Sequence, residues 1–148
     1  MKDTNVLHIL SALSQLDLDA SRGYQLALVR VEDPALKDQL NNFRKDHLQH
    51  IENLNKMIVE YGGTVVEKNA SLNGFFRDPV GTLQNMKSTR RVLQALRTGE
   101  RVTERTYGDA LRMGVNGKAL MVIERNFSDE RYHLEYIMQS LEQWQLQL

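Results

Sequence analysis

The sequence contains no cysteine among its 148 residues. This absence excludes disulfide bonds, thiolate metal sites, iron–sulfur clusters and cysteine nucleophiles. An excess of either charge is also lacking, since Lys plus Arg and Asp plus Glu number 19 each. Nucleic acid or an anionic membrane would therefore need a local basic patch on the protein.

Long apolar runs are absent from the start of the chain. The longest one there, Val6–Leu13, is interrupted by His8 and lacks an end typical of signal-peptide cleavage. We therefore expect no membrane span and no export, and predict a cytoplasmic location. The length fits one domain, 1–148, which can bury a hydrophobic core without metals or disulfides.

Proline and glycine mark where helices begin and end. The two prolines each follow an aspartate, and Asp-Pro with proline at the first helical position predicts a helix start. Gly62-Gly63 and the Gly114–Gly117 segment predict helix breaks. The four predicted helices are Thr4–Val31, Pro34–Tyr61, Pro79–Met113 and Lys118–Gln147.

Each predicted helix carries apolar residues at spacings of three and four, which is typical of a helix with one buried face. Polar residues that can bind metal interrupt each buried face. Because they fall on the apolar faces, we expect them inside the core. They are Asp17 in the first helix, His47 and His50 in the second, Glu100 in the third, and Glu130 and His133 in the fourth.

The second half of the chain repeats the first at an offset of 83 residues. Each half has a carboxylate seven residues before a tyrosine, followed on the next helix by two ligand-type side chains at i and i+3. The repeat therefore predicts two related helical hairpins. The matched pairs are Asp17 with Glu100, Tyr24 with Tyr107, His47 with Glu130, and His50 with His133.

Two related hairpins pack with pseudo-twofold symmetry only if the connection between them runs the length of the bundle. The segment between Gly63 and Asp78 is long enough, because about 14 extended residues reach roughly 46 Å. A helix of about 27 residues spans only about 40 Å. The sequence thus predicts an all-α four-helix bundle in which two antiparallel hairpins are joined by one long crossover.

The six polar groups would be unfavourable in the core without compensation. Moving an ionised carboxylate out of water costs several kcal/mol or more, and three of them repel one another. Divalent cations would supply the missing charge, and imidazole with carboxylate suits iron, manganese or zinc. A metal-free network, in which the three histidines pair with the three carboxylates, accounts for the charges equally well.

Two motifs resemble those of a known superfamily. Glu100 with Tyr107, and the segment Glu130–His133, resemble the carboxylate and Glu-x-x-His elements of ferritin-like di-iron carboxylate proteins. The resemblance involves the whole chain. The segments Val31–Lys37 and Asp129–Leu134 also resemble an uncharacterised bacterial family of ferritin-like domains.

The resemblance implies a role for each matching residue. Glu100 would be a terminal carboxylate ligand, Glu130 a bridging carboxylate and His133 a terminal nitrogen ligand. Tyr24 and Tyr107 would donate hydrogen bonds to the ligating carboxylates or act as redox neighbours.

The first hairpin departs from the family pattern at two positions. His50 matches its counterpart, but Asp17 replaces the usual glutamate. His47 occupies the place of a second bridging glutamate. With a single bridging carboxylate, the site could hold two metals unevenly, one metal, or none.

Two functions follow as hypotheses. The first is a di-iron or di-manganese type of metal-binding protein that reacts with dioxygen or peroxide in oxidative stress or metal handling. The alternative is a non-catalytic helical interaction or stress-associated domain that has lost metal binding through His47 and Asp17. The sequence leaves enzymatic activity open.

Metal ions are the main partners expected. A homodimer, paired through apolar surface such as Phe75 and Phe76, is a further expectation. The third helix is rich in Lys and Arg, but we interpret this as a solvated helix face and not as a nucleic-acid site.

Overall fold

The computed structural model describes residues 3–66 and 88–146, and these form four α-helices and no strand. None of these helices is both long enough and apolar enough to cross a membrane. The helices are α1 (Asp3–Arg30), α2 (Pro34–Glu60), α3 (Thr89–Leu111) and α4 (Gly117–Leu146).

Most helix ends lie within one or two residues of their predicted positions. The helix α2 begins at Pro34, and the Asp33 side chain caps it by accepting a 2.9 Å hydrogen bond from the Leu36 N–H. Gly62 and Gly114 follow α2 and α3 with φ of 82° each. This left-handed conformation is unfavourable for other residues, so glycine allows the chain to leave each helix there.

The start of α3 differs from the prediction. Pro79 lies outside the described residues, but Ser88 has φ −105° and ψ 129°, which is extended backbone. The continuous helix predicted for Pro79–Met113 is therefore wrong, because α3 begins at Thr89 and ends at Leu111. Serine in an extended conformation before a helix is a common N-cap arrangement, although the Ser88 side chain makes no capping hydrogen bond.

The helices pack as two hairpins, α1 with α2 and α3 with α4, while α1 also packs on α3 and α2 on α4. One core cluster contains Leu54 and Ile58 near the end of α2. The other contains Leu93, near the start of α3. The end of α2 and the start of α3 therefore lie at opposite ends of the bundle.

The connection between α2 and α3 must span the bundle, which confirms the all-α arrangement of two antiparallel hairpins joined by one long crossover. Most of that connection, 67–87, lies outside the described residues. Phe75 and Phe76 fall within it, so the homodimer remains a prediction.

Most residues of the predicted buried faces are buried, but Tyr61, Leu120, Phe127, Leu134 and Trp144 are only partly buried. In α1 and directly after it, the predicted face is at most 5% exposed at each of its eight residues, which are Val6, Leu10, Leu13, Asp17, Ala20, Tyr24, Ala27 and Val31. Between the two apolar clusters lies a layer of buried polar side chains contributed by all four helices. That layer contains the residues singled out by the repeat.

Candidate metal centre

The structure brings all six candidate ligands together in the polar layer. Each is at most 2% exposed, so each depends on its neighbours for hydrogen bonds and charge. α1 supplies Asp17, α2 supplies His47 and His50, α3 supplies Glu100, and α4 supplies Glu130 and His133.

The six residues form two overlapping sets of four. Within each set, one ligand atom from every residue lies within 4.8 Å of the others. Both sets contain His47 and Glu130, so these two residues occupy the middle of the centre. The first set adds Asp17 and His50, and the second adds Glu100 and His133.

His47 points into the centre and lies between the carboxylates of the two hairpins. Its Nδ1 is 2.7 Å from Asp17 Oδ1, and its Nε2 is 2.8 Å from Glu100 Oε1. Burial opposes a charge on the ring, but Glu130, Glu100 and the two hydrogen bonds raise the pKa of His47 to about 9. In the metal-free protein His47 is therefore an imidazolium that donates to both carboxylates.

His50 and His133 use their two ring nitrogens differently. Each directs Nδ1 inward and Nε2 outward, where His50 Nε2 lies 2.8 Å from Asp129 Oδ2 and His133 Nε2 lies 2.9 Å from Asp46 Oδ2. Each contact crosses between the hairpins. A carboxylate on the outer nitrogen orients a metal-binding histidine and raises its basicity.

The sequence analysis missed Asp46 and Asp129. The offset of 83 residues that pairs the ligands also pairs these two aspartates. Each directly precedes the first ligand position on its helix, and their side chains are 44% and 47% exposed. A search of the repeat for matched carboxylates beside the ligands would have found them.

The two outer contacts have matching effects on charge. Burial alone lowers the pKa of a histidine, but Asp17 and the hydrogen bond with Asp129 help raise the pKa of His50 to about 12. The contacts of His133 with Asp46 and Glu100 raise its pKa to about 12. The hydrogen bond with His50 in turn lowers the pKa of Asp129.

The two tyrosines donate to the candidate ligands, each across the hairpins. The Tyr24 hydroxyl donates to Glu100 Oε1 at 2.6 Å, and the Tyr107 hydroxyl donates to Asp17 Oδ2 at 2.5 Å. Burial and these neighbouring carboxylates raise the pKa of both tyrosines well above 10. Both phenols are therefore protonated donors.

Asn126 is a further contact that the sequence analysis missed. Its side-chain amide donates to the Tyr107 hydroxyl at 3.2 Å, and the residue is 1% exposed. The repeat gave no signal here, because the matching position in the first hairpin is Phe43. Phe43 instead packs on the ring of His133, with 4.2 Å between ring centroids.

The three buried carboxylates differ in charge compensation. Burial raises the pKa of a carboxyl, but the contacts with His50 and His47 lower the pKa of Asp17, and those with His47 and His133 lower that of Glu100. For Glu130, burial prevails over His47, and with the charge of Glu100 it raises the pKa to about 7. Positive charge is therefore insufficient around Glu130.

Three buried ligand-type atoms have no hydrogen-bond partner within the described residues: Glu100 Oε2, Glu130 Oε2 and His133 Nδ1. His133 Nδ1 lies 3.4 Å from Glu130 Oε2, without hydrogen-bond geometry. Unpaired buried polar atoms are costly and call for a ligand. Carboxylate oxygen and imidazole nitrogen are suitable ligands for iron, manganese and zinc, so the residues fit a divalent transition metal.

A family model described as Domain of unknown function (DUF2383) matches residues 5–113. The chain therefore belongs to this family. The match covers α1, α2 and α3 but not α4, so Glu130 and His133 lie outside it. A search of curated proteins finds no significant match.

Proposed function

We propose that this member of the DUF2383 family is a metal-binding protein that holds two divalent transition ions in its polar layer. Iron or manganese is the expected metal, with zinc as a further option. The proposal takes 1–148 as one domain and metal ions as its partners. It extends to a role in metal handling or in the response to oxidants.

The observation that carries the proposal is the convergence of six buried ligand-type side chains, three of which leave a ligand atom unpaired. Packing alone does not favour such a layer, because apolar residues of similar volume would avoid the desolvation of the charges. A bound cation accounts for the unpaired atoms and for the raised pKa of Glu130.

The residues divide between two ions. Asp17 and His50 would hold one ion, and Glu100 and His133 would hold the other. Glu130 is the shared carboxylate, since its Oε1 lies 3.0 Å from His50 Nδ1 and its Oε2 lies 3.4 Å from His133 Nδ1. His47 also belongs to both sets and stands where a second bridging carboxylate is expected by resemblance.

Bound iron or manganese would supply redox chemistry toward dioxygen or peroxide, as in the ferritin-like proteins that these motifs resemble. The chain's own residues hold and orient the ligands. Tyr24 and Tyr107 fix Glu100 and Asp17 by short hydrogen bonds. The apolar clusters on either side of the layer keep bulk water from the centre.

A second candidate is a non-catalytic helical domain that works without metal. The position of His47 favours it, because an imidazolium between Asp17 and Glu100 neutralises charge without any ion. Under this hypothesis the three histidines and three carboxylates form a structural network.

Metal analysis and stability distinguish the two candidates. Protein purified without chelator is assayed for metal, and the apoprotein is titrated anaerobically with Fe(II) and with Mn(II). We expect up to two ions per chain and a higher melting temperature, since a ligand at 100 times its Kd stabilises by about 2.7 kcal/mol.

Glu130→Gln should abolish the thermal shift. Glu52→Gln serves as the control because Glu52 lies on the exposed surface of α2, with its side chain 62% exposed. Absence of bound metal and of any thermal shift in the parent would favour the network without metal.

A further inference from the structure

The centre has two halves, one with Glu100 and His133 and the other with Asp17 and His50. They differ in how many of their ligand atoms already make hydrogen bonds. Glu100 Oε2, Glu130 Oε2 and His133 Nδ1 make no hydrogen bond within the described part of the chain. All three belong to residues of the same set. The repeat makes the two hairpins similar in sequence, but this asymmetry is not visible in it.

Each of these three residues is held in place through its other polar atom. Glu100 Oε1 accepts from Tyr24 at 2.6 Å and lies 2.8 Å from His47 Nε2. Glu130 Oε1 lies 3.0 Å from His50 Nδ1. His133 Nε2 lies 2.9 Å from Asp46 Oδ2. An ion that displaces the proton on His133 Nδ1 could therefore bind these three residues while every one of these hydrogen bonds remains.

The other half offers no such atoms. Asp17 Oδ1 lies 2.7 Å from His47 Nδ1 and 3.0 Å from His50 Nδ1, and Asp17 Oδ2 accepts from Tyr107 at 2.5 Å. The inward nitrogen of His50 is also 3.0 Å from Glu130 Oε1. An ion in this half must displace hydrogen bonds within a buried network, which costs free energy.

We propose that the centre binds its two ions in order, the first at Glu100, Glu130 and His133 and the second, more weakly, at Asp17 and His50. His47 stays hydrogen-bonded to Asp17 while the first ion binds. Asp17 is therefore not free to bind the second ion until the metal concentration is higher. The inference rests on the proposed function and specifies which half of the centre is pre-organised.

The test compares matched variants of the two histidines, because His50 and His133 are repeat mates with equivalent outer contacts. Apoprotein is titrated with Mn(II), and free Mn(II) is followed by electron paramagnetic resonance. We expect the parent to bind one ion at least tenfold more tightly than the second. His50→Gln should keep the tight ion, and His133→Gln should lose it.

A readout on the parent protein guards against a variant that fails to fold. Crystals of the parent with one equivalent of Mn(II) should give an anomalous peak beside His133 and none beside His50. Equal affinities, a peak beside His50, or loss of the tight ion in His50→Gln and not in His133→Gln would overturn the order and leave the metal-binding proposal intact. Failure of the parent to bind Mn(II), Fe(II) or Zn(II) would overturn both.

Discussion

The Tyr107 hydroxyl donates a 2.5 Å hydrogen bond to Asp17, across 90 residues of sequence and between the two hairpins. Tyr24 makes the equivalent bond to Glu100. The two bonds differ in what else supports the carboxylate. Glu100 Oε1 also lies near His47, whereas Tyr107 is the donor to Asp17 Oδ2 and accepts from Asn126.

This difference predicts that removing the two hydroxyls lowers the free energy of unfolding by unequal amounts. Tyr107→Phe leaves Asp17 Oδ2 and the Asn126 amide without their partner, so we expect the free energy of unfolding to fall by about 2 to 3 kcal/mol. Tyr24→Phe leaves Glu100 with its His47 contact, and the loss should be about 1 kcal/mol. Urea unfolding of the metal-free proteins measures both, and equal losses would contradict the assigned donors.

Replacing Glu130 should separate stability from metal binding. The folded-state pKa of about 7 lies above the ordinary value of 4.5, so the stabilising contribution of protonated Glu130 is lost as pH rises through 7. Glu130→Gln restores a neutral group at pH 8. We expect unchanged stability or a gain of about 1 kcal/mol without metal.

The same variant should show no thermal shift on adding Mn(II). Chemical denaturation at pH 8 in chelator measures the stability of the metal-free variant, and melting with and without Mn(II) measures the thermal shift. Marked destabilisation without metal would mean that the Glu130 charge is needed by the network itself.

The metal-free protein should lose stability in alkali. His47 has a folded-state pKa of about 9 against an ordinary value of 6.5. Its contribution is fully present below pH 6.5 and is lost as pH rises through 9. His50 and His133, with pKa values of about 12, continue the decline. On the acid side, the lowered pKa values of Asp17 and Glu100 make stability fall below about pH 4.

Denaturant melts between pH 5 and 10, in chelator, measure this profile. His47→Gln removes one of the three groups, so the decline between about pH 6.5 and 9 should become shallower. An unchanged slope in that variant would show that His47 is not charged in the folded protein.

The outer aspartates should control metal affinity. Asp46→Asn removes the negative charge beside His133 Nε2, and Asp129→Asn removes the one beside His50 Nε2. Each change should weaken its own ion by about 10 to 100-fold. Asp46→Asn should therefore act on the tighter ion and Asp129→Asn on the weaker one, as read from Mn(II) titration. The opposite assignment would reverse the proposed order of binding, and unchanged affinities in both variants would mean that the outer contacts do not orient ligands.

Helical spacing and the internal repeat predicted the buried positions of the six candidate ligands because both features are regular along the chain. Asp17 and Glu100 interrupt apolar faces, so their burial follows from their neighbours. The orientation of His47 could not be predicted, since it depends on the distance between Asp17 and Glu100 across the bundle. The sequence indicates that His47 lies inside but not that it joins the two hairpins.

Two other features were missed for different reasons. Asn126 lies opposite Phe43 in the repeat, so a search for matched residues passes over it. The predicted helix Pro79–Met113 was taken as continuous because its apolar spacing carries no break signal at Ser88, yet Ser88 is extended and a helix begins at Thr89. Apolar spacing alone does not show where a helix is interrupted.

The contacts that join the two hairpins also determine when the polar layer can form during synthesis. A ribosome releases Asp17, His47 and His50 long before Glu100 and Glu130 exist, so until then these groups lack their partners from the second hairpin. Tyr24 can meet Glu100 once α3 has emerged, whereas the contacts of Glu130 and His133 with α2 can form only once α4 has emerged. A metal that needs ligands from all four helices can therefore bind only after α4 has been synthesised.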